Sequence, residues 1–344
     1  MCRNALRFIP GLFLLAAMIF ACSGKPRSHT SVPAFYHWKN KLSLSAEDVS
    51  ALQNFPAKNL YIRYFDVQWT GGGATPVAIV QLDWTTLPNE TAVIPVVFIT
   101  NETFRYLSPE QSAQLAPKVA QKIQAMSAGI SFEEIQIDCD WSAGTRERYF
   151  LFLNELKKTL PSVQLSVTIR LHQLKYRKEA GIPPADRGMI MPYNLENPAR
   201  FSPRNSIYDS REAGQYLRQQ APYPLPCDVA LPLFSWGVQF RGEEFRGFLH
   251  GLRPEQAQDM SFLQPDEGIF YSVTADTVFQ NLYLRRGDRI KVEAVSTGDL
   301  SEMLRLLAPV LPNDSFRMTF FHLDQPVLNA YDVSQLQKLA QVGR

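Results

Sequence analysis

Eight short apolar segments recur along the chain, and longer stretches with helical periodicity separate several of them. The apolar segments span residues 34–38, 59–66, 92–100, 134–138, 164–170, 188–193, 228–234 and 316–323. The amphipathic stretches span residues 45–55, 108–128, 146–159, 210–220 and 300–311. These patterns predict β-strands and α-helices that alternate along the chain.

Strands and helices that alternate eight times in one domain-sized chain predict an α/β fold of the (β/α)8 TIM-barrel type. An open parallel sheet is the alternative. The segment 164–170 favours the barrel because its side chains alternate between apolar and polar, and segment 134–140 repeats the pattern. A polar strand face needs an enclosed space, which a barrel interior provides and an open parallel sheet rarely does.

Residues 268–293 do not follow this alternation. They read as extended strands around a turn at Arg286, Gly287 and Asp288. We therefore expect a β-rich insertion between the seventh and eighth strands, within a barrel domain that spans residues 33–344.

The N-terminal residues have the order of a lipoprotein export signal. Arg3 and Arg7 precede an apolar run at residues 8–21, and Cys22 follows directly. The run is short for a membrane span, so an uncleaved signal anchor is the less favoured alternative. The sequence predicts a signal peptide at 1–21, an acylated Cys22, a tether at 22–32 and a membrane-anchored location in the cell envelope, facing the periplasm or the surface.

The charge of the mature chain is balanced. Loss of residues 1–21 removes two arginines and no acid, so 33 of the 35 Lys and Arg remain against 33 Asp and Glu. A neutral chain lacks the basic field that nucleic-acid binding needs. The spacing of Cys and His predicts no metal site, and no motif predicts a cofactor.

Two cysteines remain after Cys2 leaves with the signal and Cys22 is acylated. Cys139 follows the fourth strand and Cys227 precedes the seventh, so a parallel barrel places them at opposite ends. Because a disulfide needs Cα atoms within about 7 Å, we expect both thiols to be free.

Unusual side chains cluster where the predicted strands end, which is the working face of such barrels. Carboxylates, cations and flat rings together are typical of a carbohydrate site. We expect Asp138, Asp140 and Tyr193 to be catalytic. The candidate substrate-binding residues are His37, Trp38, Arg63, Asp66, Arg170, His172, Asn194, Trp236 and Asp324.

Asp138 and Asp140 are the strongest single feature. Two residues apart on a strand, they point to the same side, about 7 Å apart along it. Close carboxylates raise one another's pKa, which suits acid–base catalysis. The alternative is a structural ion network, in which Arg63 or Arg170 pairs with Asp138.

Residues 135–142 resemble the strand-four motif DxxDxDxE of chitinase-type, family 18 glycoside hydrolases, and residues 191–194 resemble their strand-six motif. The resemblance implies that Asp138 and Asp140 are the two later aspartates and that Tyr193 hydrogen-bonds the reacting sugar. Ile135 replaces the first aspartate, and Ser142 occupies the position of the acid glutamate. A serine cannot protonate a glycosidic oxygen, so hydrolysis by that mechanism is not expected.

Most of residues 33–325 also resemble a family of uncharacterised bacterial lipoproteins with a glycosidase-like barrel. The segments that carry this resemblance are FYHW at 35–38, QIDCDW at 136–141 and TIRLHQL at 168–174. The family brings a fold and no established activity.

Three functions remain open from the sequence. The first is a carbohydrate-active enzyme, with the acid supplied by Asp66, His172 or Asp324. The second is a binding protein that holds a glycan or an envelope partner without turnover. The third is a structural lipoprotein. The expected partners are a carbohydrate and, through Cys22, a membrane, and the sequence gives no indication of oligomeric state.

Overall fold

A closed barrel of eight parallel strands forms the body of the molecule in the computed structural model, which describes residues 29–340. The barrel strands are β1 (Thr30–His37), β2 (Asn59–Trp69), β3 (Ala92–Ile99), β4 (Glu134–Asp138), β5 (Gln164–Arg170), β6 (Arg187–Met191), β7 (Cys227–Pro232) and β8 (Ser315–Phe321). Each strand pairs with the next, and β1 pairs with both β2 and β8. The predicted TIM barrel is therefore confirmed. The predicted signal peptide, Cys22 and most of the tether lie outside the described residues.

Helices cover the outside of the barrel. They span Ala46–Asn54, Asn101–Tyr106, Pro109–Met126, Arg146–Thr159, Leu171–Lys175, Arg177–Ala180, Ser210–Leu217, Pro254–Asp259, Thr297–Leu307, Gln325–Leu328 and Val333–Leu339. Ser45 and Ser108 begin two of them with capping boxes, and both helices lie within the amphipathic stretches predicted at 45–55 and 108–128. Pro109–Met126 buries Leu115, Val119 and Ile123 on one face, which is the period-3.6 stripe seen in the sequence. No helix within residues 29–340 is long and apolar enough to cross a membrane.

Polar side chains fill the inside of the barrel, as the strand alternation predicts. At its middle level, Tyr36 Oη donates to Gln136 Oε1 at 2.5 Å, and Gln136 Nε2 donates to Ser166 Oγ at 3.5 Å. One pleat higher on the same strands, Thr168 Oγ1 donates to Asp138 Oδ1 at 2.6 Å. Because side chains two apart share a strand face, β4 and β5 carry a polar ladder up to the mouth.

The N-terminal end of the barrel is closed by buried ion pairs. Arg317 Nη1 contacts Glu134 Oε2 at 2.5 Å and donates to Tyr61 Oη at 2.8 Å. Arg187 binds Asp228 through Nε at 2.5 Å and Nη2 at 2.8 Å. Each charge in this end layer thus has an opposite charge as partner, which is the condition for burying it.

The insertion between β7 and β8 is larger than the predicted range 268–293, because its first strand begins at Trp236. Its strands are Trp236–Arg241, Glu244–His250, Leu263–Pro265, Phe270–Val273, Thr277–Phe279, Leu282–Leu284 and Arg289–Glu293. Five of them form one antiparallel sheet with Trp236–Arg241 and Arg289–Glu293 at its centre. One face buries Leu249, Leu252 and Ile290. The other face carries rings that approach the barrel mouth.

Cys139 and Cys227 are both free and buried, which confirms the expectation that they do not pair. Cys139 follows the C-terminal end of β4, and Cys227 is the first residue of β7. Burial raises the pKa of both thiols, so they behave as small apolar side chains.

Candidate functional site

A cavity of about 780 Å³ opens at the C-terminal ends of the barrel strands. Asp138, Asp140 and Tyr193, which we expected to act together, all lie on its wall. Six of the candidate binding residues also line it: Trp38, Asp66, Arg170, Asn194, Trp236 and Asp324. The structure thus brings most of the predicted site together, and what each residue does there stays a prediction.

Asp138 stands apart from the other cavity carboxylates because, within residues 29–340, no cation forms an ion pair with it. Its side chain is 6% exposed, and its hydrogen-bond donor is the Thr168 hydroxyl. Burial raises its pKa to about 6, while Arg170 opposes the rise and Asp140 adds to it. A carboxyl group of this kind can hold or release a proton near neutral pH.

Asp140 is held by a cation. Arg170 Nε donates to Asp140 Oδ1 at 2.7 Å, and the guanidinium lies 5.7 Å from the centre of the Tyr193 ring. Burial acts to lower the pKa of Arg170, but the carboxylates of Asp140 and Asp138 outweigh it and raise that pKa. The alternative in which Arg63 or Arg170 pairs with Asp138 is therefore not what the structure shows, since Arg170 pairs with Asp140 and Arg63 pairs with Asp66.

Asp66 is also paired, with Arg63 of the same strand. Arg63 Nε and Nη2 donate to the two Asp66 oxygens at 2.8 Å and 2.5 Å. Residues three apart on a regular strand point to opposite faces, but a register shift between Arg63 and Phe65 brings both side chains inward. Arg63 lies 5.6 Å from the Trp38 ring and is not among the residues that line the cavity, so its expected binding role stays a prediction.

The third paired carboxylate is Asp324, whose Oδ1 lies 2.6 Å from Lys39 Nζ. His322 lines the cavity beside it, and burial lowers the pKa of this histidine. His37, a candidate binding residue, does not reach the cavity. It is 2% exposed, and burial lowers its pKa to about 4, so it is a neutral group inside the wall.

Aromatic rings in mutual contact make up one side of the cavity. Phe321 lies 5.5 Å from Trp38 and 5.9 Å from Phe234, measured between ring centres. Phe234 lies 5.0 Å from Trp236 and 5.9 Å from Tyr193. The sequence predicted both tryptophans and Tyr193 as site residues, but not the two phenylalanines. Their positions at the ends of the seventh and eighth predicted strands were the available signal.

Glu293 fixes one of these rings from behind. It is fully buried, and its Oε2 accepts from Trp236 Nε1 at 2.5 Å and from Ser206 Oγ at 2.6 Å. Lys291 Nζ lies 3.0 Å from its Oε1 and is also fully buried. The carboxylate therefore ties the insertion sheet to the loop at Ser206 and holds the indole at the cavity edge.

The insertion adds His250, Arg253 and Gln256 to the cavity wall. The sequence did not predict these three residues, because their position depends on how the insertion folds back over the barrel mouth. Arg253 lies 4.8 Å from the Tyr331 ring, and its Nη1 is buried without a hydrogen-bond partner in the described structure.

A second cavity of about 260 Å³ adjoins the first and shares Asp140, Arg170, Tyr193 and Asn194 with it. His172 lies on its wall rather than in the main cavity, and burial lowers the pKa of this histidine. The two cavities therefore share one wall, made of these four residues.

The position of the family 18 acid holds no acid. Ser142 is exposed, and its hydroxyl lies 3.3 Å from that of Thr145. Glu147 belongs to the helix Arg146–Thr159, where its side chain is 88% exposed. Trp141 is fully buried, and its Nε1 donates to Ala180 O at 2.9 Å, so it is a core ring. Within residues 29–340 no group of three or more His, Cys, Asp or Glu side chains could hold a metal ion.

Comparison with solved structures supports the fold. A chitinase from Chromobacterium violaceum is similar to this chain, with 15% sequence identity, a TM-score of 0.52 and coverage of 92% of this chain and 100% of that one. The Bacillus cereus spore cortex-lytic enzyme SleL shares 17% identity at a TM-score of 0.47, over 91% of this chain and 74% of its own. A Rhizomucor miehei chitinase gives 8% identity and a TM-score of 0.49, over 90% and 99%.

Neither a protein-family model nor a curated protein matches the chain. At these identities the likeness concerns the fold, and only the first of the three structures exceeds a TM-score of 0.5. The chain therefore has a TIM barrel, with a β-rich insertion after its seventh strand.

Proposed function

We propose that the protein binds a carbohydrate chain in the cavity at the barrel mouth. Sugars present apolar C–H faces together with hydroxyl groups, and the cavity offers flat rings beside polar side chains. The rings are Trp38, Phe321, Phe234 and Trp236. Asn194 and the paired charges on the wall supply hydrogen-bond donors and acceptors.

The observation that carries this proposal is the pairing of the cavity carboxylates. Asp66, Asp140 and Asp324 each have a cation within 2.7 Å, and the position of the family 18 acid is a serine. A carboxylate has more acceptor sites than one cation occupies, so each paired carboxylate can still accept a hydrogen bond from a sugar hydroxyl. With a serine at the position of the acid, such groups suit the recognition of hydroxyls better than they suit acid catalysis.

A glycan array probed with the full chain in detergent tests the proposal. Oligomers of N-acetylglucosamine are the first probes, because a structure with the same fold is a chitinase. Trp236→Ala should weaken the binding of any glycan that the wild type selects at least tenfold, since it removes a ring from the cavity. Trp69→Ala is the matched control, because Trp69 stacks on Tyr106 and does not line the cavity. Binding to no glycan, or equal binding by Trp236→Ala and wild type, would contradict the proposal.

A second candidate function is glycoside hydrolysis, which the raised pKa of Asp138 favours. Asp138 would supply the proton, and Asp140, two residues on, would stabilise charge on the sugar. Mass spectrometry of bound glycans after long incubation tests this function. Shorter products that form with wild type and vanish with Asp138→Asn would support it, whereas intact glycans would leave binding as the function.

We also propose that the chain is exported and held on a membrane of the cell envelope by a lipid on Cys22, as a member of a lipoprotein family would be. The support is the order of basic, apolar and small residues before Cys22. Metabolic labelling with a palmitate analogue should mark the wild type and not Cys22→Ala. A Cys22→Ala protein that is still processed and still sediments with membranes would count against the anchor.

A further inference from the structure

The aromatic side of the cavity continues onto the insertion, beyond the barrel mouth. Trp236 at the cavity edge lies 5.3 Å from Phe248, and Phe248 lies 5.0 Å from Phe245, measured between ring centres. His250 stacks on Phe248 at 6.0 Å with an interplanar angle of 27°. We call Phe245 and Phe248 the outer aromatic surface, and His250, which lines the cavity, joins it to the mouth. The outer aromatic surface is in unbroken ring contact with the cavity through Trp236.

Strand pairing explains why these rings share one face. Trp236 stands opposite His250, and Val238 stands opposite Phe248, in the antiparallel pair of Trp236–Arg241 and Glu244–His250. A register shift between Gln239 and Phe240 then places Phe245 opposite Phe240. Regular alternation would put Phe245 on the other face from Phe248, so the bulge is what extends the row.

The opposite face of this strand pair is covered by the chain itself. A Cβ atom on Gly247 would lie 2.8 Å from a Leu282 methyl group, so the hairpin of Thr277–Phe279 and Leu282–Leu284 packs there directly. Gln280 Nε2 also donates to His250 O at 2.9 Å. On the aromatic face, Phe201 covers Phe240 and Phe270 at 5.2 Å and 5.0 Å, but Phe245 remains 39% exposed.

We propose that the outer aromatic surface binds further sugar units of a linear polysaccharide whose first units occupy the cavity. This inference rests on the proposed function and specifies its ligand as a polymer rather than a short oligosaccharide. Its basis is continuity, since a chain that leaves the cavity past Trp236 meets Phe248 and then Phe245. Each ring adds an apolar platform for one sugar face.

The charges beside the surface fit an uncharged chain. Arg246 Nη2 binds Glu244 Oε2 at 2.6 Å, so these two exposed charges on the same strand neutralise one another. This pair therefore adds no net charge that would attract a protein partner of marked charge. A second copy of this chain is the competing occupant, because exposed apolar rings also serve interfaces between subunits.

The test compares short and long ligands on variants of the full chain in detergent. The probes are oligomers of N-acetylglucosamine and of cellulose, each with two and with six sugar units, and calorimetry measures their dissociation constants. The test variant is the double substitution Phe245→Ala and Phe248→Ala. Tyr283→Ala is the matched control, because Tyr283 is 53% exposed on the hairpin that covers the other face.

We expect wild type to bind a six-unit oligomer at least tenfold more tightly than the two-unit oligomer of the same sugar. The double variant should lose about tenfold in affinity for six units and keep its affinity for two units. The retained short-chain affinity shows that the variant is folded. Tyr283→Ala should match wild type with both lengths.

Equal affinity of wild type for two and six units, or a double variant that binds six units as wild type does, would overturn the outer surface and leave the cavity proposal standing. Binding of no oligomer at either length would overturn both. Sedimentation of the same samples decides on the competing occupant. A wild-type dimer that becomes a monomer in the double variant would assign the rings to a subunit interface and overturn the proposal.

Discussion

Both ends of the barrel carry buried carboxylates, but those at the N-terminal end are paired with arginines, whereas one at the mouth is not. At the N-terminal end, Glu134 and Asp228 are buried and each meets an arginine within 2.5 Å. At the mouth, Asp138 lies four residues along β4 from Glu134 and is equally buried, yet its hydrogen-bond donor is a threonine hydroxyl. One end satisfies its charges, and the other leaves a carboxyl group with a raised pKa beside an open cavity.

This contrast predicts which buried polar groups are structural and which are functional. A buried charge that is fully paired holds strands together, whereas a buried charge without a pair costs stability and persists where something else needs it. The sequence alone could not make the distinction, because both ends show acids and arginines at inward strand positions. The two ends differ in the partner that each buried charge has, and the sequence does not give that partner.

The largest effect should follow from a substitution at the closed end. Asp228→Asn removes the charge that receives two hydrogen bonds from Arg187 and one from the Arg317 backbone nitrogen at 2.6 Å. Breaking a buried pair from one side costs about 3–5 kcal/mol, so the free energy of unfolding in urea should fall by that amount. Asp140→Asn is the control, since its side chain is 45% exposed and its loss should cost about 1 kcal/mol or less. Equal losses of unfolding free energy in Asp228→Asn and Asp140→Asn would contradict the difference between the two ends.

Asp138→Asn should instead increase the stability of the protein at high pH. The folded-state pKa of Asp138, about 6, lies above its ordinary value of 3.8, so the folded protein holds a proton that the unfolded chain has released. Stability from this group is therefore present below pH 4 and is lost as the pH rises towards 6. An asparagine avoids the loss and should stabilise the protein by up to about 3 kcal/mol at pH 8, with no gain at pH 4. Urea unfolding of both proteins at the two pH values measures this, and a variant less stable than wild type at pH 8 would show that the charge is structural.

A smaller effect should follow from removing the hydroxyl that faces Asp138. Thr168 Oγ1 donates to its carboxylate at 2.6 Å and lowers its pKa, so Thr168→Val should raise that pKa further. The shift should be about one unit or less, the size of one hydrogen bond. Carboxyl carbon shifts followed by NMR through a pH titration report it directly. An unchanged midpoint would mean that the hydroxyl does not tune the acid.

The smallest effect concerns the thiols. Cys139 and Cys227 are free and buried, so a thiol reagent should label them only after denaturation, and reducing agent should not change the melting temperature. Cys139→Ala keeps a small side chain at a site next to Asp138 and serves as the labelling control. Labelling of the folded protein at either position would indicate that the barrel wall opens.

The sequence predicted the barrel well, because regular strands and helices leave periodic signals. All eight strands lie at the predicted apolar segments, and the helices that begin after Ser45 and Ser108 lie within the predicted amphipathic stretches. The polar inner face of β5 was visible for the same reason. Arg63 was different, because a bulge in β2 decides which face it shares with Asp66. Bulges leave no reliable mark in a single sequence.

Residues that long-range packing brings to the site were not predicted. His250 and Arg253 reach the cavity only because the insertion folds back over the mouth, and the insertion itself begins 32 residues before the predicted boundary, at Trp236 rather than residue 268. The placement of His37 also depends on packing. Its position at a strand end suggested binding, but the strand's alternation turns it away from the cavity, into the wall. Pattern locates an element, whereas tertiary contact decides which of its residues meet a ligand.

The central claim is that the mouth cavity holds a carbohydrate, and a crystal structure of the protein with a bound six-unit glycan tests it most directly. We predict that electron density for sugar rings lies in the cavity, with one ring against Trp236 and hydroxyl groups within hydrogen-bond distance of Asp140 or Asn194. Sugar density confined to another surface, with the cavity filled by water at a glycan concentration well above the dissociation constant, would contradict it.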